Sequence, residues 1–131
     1  MKIDVNDFYT HNDIKINASG TSLRGYLAVS YADLIKKLGK PSEFYDDYKS
    51  DAEWLVSWYD GEMATIYNYK NGKNYCGPSG LDIKNITLWN VGGLTNSVGL
   101  SRLEQMFNSV QNKRQADQMS DVTYKISIRG H

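Results

Sequence analysis

The chain has 131 residues, of which 40% are hydrophobic and 23% charged, the length and usage of one globular domain able to bury a core without covalent staples. Fifteen basic residues balance fifteen acidic ones. That excludes the broad cationic excess with which non-specific DNA binders displace counterions, though not a local patch. A single cysteine and no CxxC exclude an internal disulfide scaffold and a zinc ribbon.

Residues 1–12 are polar and expected to be flexible. The opening "MKIDVNDFYTHNDIKI" has no continuous apolar run of the secretory type, and no stretch reaches the roughly 18–20 apolar residues that cross a bilayer. The expected location is the cytoplasm. "DIKINAS" then alternates Ile14 and Ile16 with polar neighbours, the period of a half-buried strand, and "RGYLAVS" reads as a second. A short helix follows with both ends written out. Ser30 is placed to accept from a first-turn amide and Asp33 adds negative charge there, while Leu34, Ile35 and Leu38 share a face. Gly39 and Pro41 stop it.

From Asp51 the hydrophobic period becomes two. "AEWLVSWY", Asp60-Gly61 and "EMATIYNY" predict a hairpin with a two-residue type I′ turn. That register pairs Trp58 with Met63, Val56 with Thr65 and Trp54 with Tyr67, leaving Leu55, Ser57, Ala64 and Ile66 on the other face. Both faces are substantially apolar, so the hairpin belongs inside a sheet, with its small-residue face available to a helix. Asn71-Gly72 suggests another turn leading into a short strand through Tyr75. "NITLWNV" predicts a strand ending at Gly92-Gly93. A second helix is expected from Ser101, where Ser-Arg-Leu-Glu forms a capping box, with Leu103, Met106, Phe107 and Val110 on one face. "DVTYKISIR" alternates as a final strand. The sum is an α+β single domain over 1–131, with a mainly antiparallel sheet of five or six strands and two helices.

Candidate chemistry is sparse. A nucleophilic cysteine needs a base or an electropositive setting, and the two histidines, His11 and His131, lie in polar or terminal stretches. Cys76 is therefore expected to be a small buried or half-buried apolar group. The same scarcity of ligands argues against a transition-metal site, and Asp46, Asp47 and Asp51 do not have EF-hand spacing. "CGPSG" lacks the Lys-Ser/Thr of a phosphate loop, and Gly92-Gly93 completes no GxGxxG. No metal, cofactor or catalytic residue is expected, and the chain is not expected to be an enzyme.

Charge distribution says more. Between Glu43 and Glu62 lie seven acidic residues against Lys49 alone, interleaved with Phe44, Tyr45, Tyr48, Trp54, Trp58 and Tyr59. Such a segment suits a contact surface for a basic protein partner, because tyrosine and tryptophan are favoured interface anchors. Tyr45, Asp46, Asp47, Tyr48 and Asp51 are the candidate partner-binding residues.

Three stretches occur together: "GTSLRGYLAVSYADLIKKLGKP", "DAEWLVSWYDGEMATIYNYK" and "WNVGG". In them the chain resembles a family of small uncharacterised tailed-phage and prophage proteins, with the pattern GTSLxGY, LGxP, AEW, DG, ATIY and WxVGG over residues 20–93. Asn90 stands where the pattern has histidine, and the stretch from Asn71 to Leu88 is longer than usual. The resemblance implies a phage source and an α+β fold, and carries over no catalytic residue. Small phage proteins without cofactors often act by binding a host protein, as anti-CRISPR and other anti-defence inhibitors do. The implied function is stoichiometric binding to a host protein in the host cytoplasm, such as a nucleic-acid-binding defence effector, with no membrane partner. The alternative is a nucleic-acid-binding phage accessory protein that uses basic helix groups or aromatic strand faces for stacking.

Overall fold

The structure is a computed structural model and describes residues 3–11, 21–42, 48–94 and 96–107. Five antiparallel strands form one sheet: β1 (Tyr9–Thr10), β2 (Ser22–Leu27), β3 (Glu53–Ser57), β4 (Met63–Tyr67) and β5 (Trp89–Gly93). Their order is β1-β3-β4-β5-β2, so the hairpin strands β3 and β4 do lie inside the sheet. The helices are α1 (Tyr31–Leu38), the one-turn α2 (Lys73–Cys76) and α3 over 98–107. The class is α+β as expected. The anticipated strands over 13–19 and 121–129, and Val110, fall outside the described residues.

Helix α1 follows its sequence signals. Ser30 Oγ accepts from Asp33 N at 3.1 Å, and Gly39, at φ 84°, donates its amide to Ile35 O at 2.8 Å. The buried Leu34 and Leu38 face the sheet.

The hairpin differs from its predicted register. Trp58 N donates to Glu62 O and Gly61 N to Trp58 O, and only Gly61 in this turn has a positive φ, 87°. The loop is therefore the three-residue kind, a tight turn closed by a left-handed glycine, and not a type I′ pair that would need positive φ at Asp60 as well. One extra loop residue shifts the pairing by one: Val56 lies opposite Ala64, Trp54 opposite Ile66, and Glu53 opposite Tyr67. A one-residue slip exchanges faces, so Ala64 and Ile66 join Trp54 and Val56, and Met63, Thr65 and Tyr67 join Leu55 and Ser57. The helices accordingly pack on the tryptophan face. Its core contains Trp54, Val56, Ala64, Ile66, Trp89 and Val91 with Leu34 and Leu38 of α1 and Leu103, Met106 and Phe107 of α3.

Three tryptophans organise that core. The Trp54 and Trp89 rings meet edge-on at 5.5 Å between centroids, and Tyr31 lies against both. Every indole N–H has a carbonyl partner: Trp54 donates to Gly39 O, Trp58 to Val5 O and Trp89 to Val29 O. Large aromatic area is thus buried without orphaning its polar handle.

Two further expectations are corrected. Asn71-Gly72 does not turn into a strand; Gly72 pairs in parallel with Leu81, and the chain enters α2. Helix α3 starts before Ser101: Ser101 N already donates to Ser97 O, and Val98 N is held by Asn96 Oδ1 at 3.1 Å. The capping-box sequence therefore lies inside the helix.

Candidate recognition corner

Beyond β4 the sequence "YNYKNGKNYC" folds back on the segment that leads into β3. Asn68 is the node. It is fully buried, and its amide makes all four bonds open to it. Oδ1 accepts from Asp51 N at 2.7 Å and Ala52 N at 3.2 Å, while Nδ2 donates to Asp51 Oδ1 at 2.8 Å and Asn71 Oδ1 at 3.0 Å. Asp51 Oδ2 accepts from Asn74 N at 3.3 Å, and Asn74 Nδ2 donates to Ser50 O at 3.0 Å. Lys70 N donates to Lys49 O and Leu81 N to Asn71 O. Gly72 lies so close that a Cβ there would stand 2.0 Å from Asp51 Oδ1. The loop before β3, the loop after β4 and the start of α2 are one hydrogen-bonded unit.

That unit holds Lys70 at φ 59°, the one positive φ among the described non-glycine residues. A lysine persists in the left-handed region only where its surroundings over-determine it, and such residues cluster at functional surfaces. Its carbonyl accepts from Cys76 Sγ at 3.2 Å. Its ammonium stands 5.1 Å from the Tyr69 ring centroid and 5.3 Å from that of Tyr75, at cation–π distance from both. Tyr48 meets Tyr75 edge-on at 5.3 Å. All three tyrosines are exposed, Tyr48 by 61%. Beside them a shallow cavity of about 190 Å³ is lined by Lys49, Ser50, Glu53, Tyr67 and Tyr69. Partial burial, then the negative charge of Glu53, push the Tyr67 phenol above its ordinary value. Lys73 is drawn off to Asp82 at 2.6 Å, and that hydrogen bond lowers the Asp82 pKa.

The residues named from sequence divide here. Tyr48 is at the corner and exposed. Asp51 is half-buried, and its carboxylate is bound into the hydrogen-bonded unit, so it shapes the surface more than it presents charge. Tyr45, Asp46 and Asp47 lie outside the described residues. Asp60, at the hairpin tip, is paired with Arg102. Cys76 is exposed, not buried as expected, because the one-turn helix presents it outward. His11 is engaged by Ser57 Oγ at 2.9 Å, and His131 lies outside the described residues. Gly92 and Gly93 pair within the sheet, with Thr65 and Ala64 on one side and Leu23 and Ser22 on the other. They are strand residues.

Sequence reading passed over Asn68, Tyr69, Lys70 and Tyr75. The available signal was the density of tyrosine, lysine and asparagine over 67–75, which was absorbed into strand and turn assignments. Among the described residues no group of three or more His, Cys, Asp or Glu could hold a metal ion, and no helix is long and apolar enough to cross a membrane. Comparison with protein-family models, curated proteins and solved structures finds no match.

Proposed function

We propose that the chain is a phage-encoded protein that works by stoichiometric binding to a host protein, as an anti-defence inhibitor of the anti-CRISPR kind does. The observation that carries this reading is the recognition corner: three exposed tyrosines and Lys70, held by a fully satisfied buried asparagine on a loop whose backbone is fixed at both ends. Rigid aromatic anchors on a preorganised surface lose little entropy on binding, and that economy distinguishes strong interfaces from equally large weak ones. Tyr45, Asp46 and Asp47 precede the corner in sequence and stay candidate partner contacts.

The test compares tagged wild-type chain with a Tyr48→Ala/Tyr75→Ala variant in capture from host lysate. Captured partner is purified and titrated for stoichiometry. One-to-one binding that the variant loses while keeping its fold supports the reading; equal binding by both removes the corner from it.

A second reading has one specific observation in its favour. Lys70 stands between two tyrosine rings and Lys49 lines the cavity beside them, the pairing of charge and stacking surface used by single-strand binders. A gel-shift titration with oligonucleotide across salt separates the two, since nucleic-acid affinity falls steeply as salt rises.

A further inference from the structure

The arrangement of Lys70 between two tyrosine rings is that of an occupied cation cage. Tyr69 and Tyr75 offer their faces to one ammonium at 5.1 and 5.3 Å, and Tyr48 abuts Tyr75 from the side. The cation in place is the chain's own, supplied by a residue whose backbone is pinned through Lys49 O and Cys76 Sγ. The Lys70 side chain is itself exposed, so its ammonium trades the rings for water at small cost.

We infer that Tyr69 and Tyr75, with Tyr48 beside them, form a recognition site for a cationic side chain of a protein partner, and that Lys70 fills this site until the partner's lysine or arginine displaces it. The inference rests on the binding function proposed above and names the chemistry its partner presents. Charge complementarity points the same way. Glu53 lines the adjoining cavity and sets a carboxylate beside the seat. An incoming cation meets an aromatic seat with the Glu53 carboxylate beside it. Of the other lysines near the seat, Lys49 lines the adjoining cavity and Lys73 is held by Asp82, which limits its competition for the rings.

Displacement sets the affinity. A site occupied by a tethered competitor binds an external ligand more weakly in proportion to the fraction of time it is free. Removing the Lys70 charge should therefore strengthen binding of an external cation, whereas it should weaken binding if Lys70 itself contacts an anionic partner.

The experiment is an NMR titration of the tyrosine ring signals in the full chain with tetramethylammonium chloride, then with a short lysine- and arginine-rich peptide. Wild type, Lys70→Met, Lys70→Arg and Tyr69→Ala/Tyr75→Ala are compared, with sodium chloride as the ionic-strength control. The Lys70→Met variant should bind both probes about fivefold more tightly than wild type, Lys70→Arg should resemble wild type, and the double tyrosine variant should lose the response. Unchanged or weaker binding by Lys70→Met overturns the inference. So does binding of a single-stranded oligonucleotide that Lys70→Met abolishes, because Lys70 is then a contact and not a placeholder. These probes need no host partner. A failed cage therefore leaves the lysate capture to be judged separately, and a failed capture leaves the cage measurement standing.

Discussion

Arg102 grips Asp60 with both ends of its guanidinium, Nη1 to Oδ1 at 2.9 Å and Nη2 to Oδ2 at 2.5 Å, across 42 residues of sequence. The same guanidinium lies 5.2 Å from the Trp58 ring centroid. It fastens α3 to the tip of the β3–β4 hairpin. The hydrogen bond from Arg102 holds the Asp60 carboxyl at about 2, below its ordinary 3.8, and Arg102 is raised in turn. This clamp stands apart from the recognition corner, so stability and binding can be perturbed separately.

A carboxylate whose pKa is depressed on folding stabilises the fold fully above its unfolded value and loses that contribution as pH falls through the folded one. Melting temperature should therefore drop between pH 4 and about 2 more steeply in wild type than in Asp60→Asn. At neutral pH Arg102→Ala should lower Tm by about 4 °C, through loss of both the fork and the ring contact. Thermal melts followed by circular dichroism measure both effects, and binding at the corner should not change.

Asn68→Ala removes an amide whose four partners are then left inside the fold. Buried groups deprived of partners make this costly, about 2–4 kcal/mol in urea denaturation. Partner and cation binding should fall with it, because the loops that place Tyr48 and Tyr69 lose their common tether. Tyr75→Ala should weaken binding with a much smaller change in stability.

Gly72→Ala drives a methyl group into the Asp51 carboxylate, 2.0 Å from Oδ1, and Asp51 cannot swing away without releasing Asn68 and the Asn74 amide. We expect a loss of about 2 kcal/mol. In an Asp51→Ala background the same substitution should cost clearly less, so a double-mutant cycle should show that the two costs together fall short of their sum. Additive costs would mean the two positions do not press on one another.

Cys76 is exposed and its thiol donates to Lys70 O. It should react with a maleimide in the folded protein. Cys76→Ser retains a donor at that place and should leave binding within twofold of wild type; complete loss with the fold preserved would give the thiol a role the geometry does not.

Local signals carried much of the fold. Helix α1 could be placed because its cap, acidic first turn, glycine and proline all lie within a dozen residues. Alternation placed β3, β4 and the end of β5. The hairpin register failed because Asp60-Gly61 suits two turns that differ by one residue, and the dipeptide alone does not choose between them. The start of α3 was missed because Ser101 resembles a cap while Asn96 acts first. At the recognition corner the decisive contacts join residues 16 to 24 apart. Composition had marked the acidic run, but not that Asp51 turns inward or that Lys70 faces two rings.

The most direct test is the comparison of wild type with Tyr48→Ala/Tyr75→Ala in capture from host lysate, followed by titration of the purified partner. The account predicts one host protein bound one-to-one by wild type and bound at least tenfold more weakly by a variant that melts normally. Equal affinity for the two proteins would contradict it.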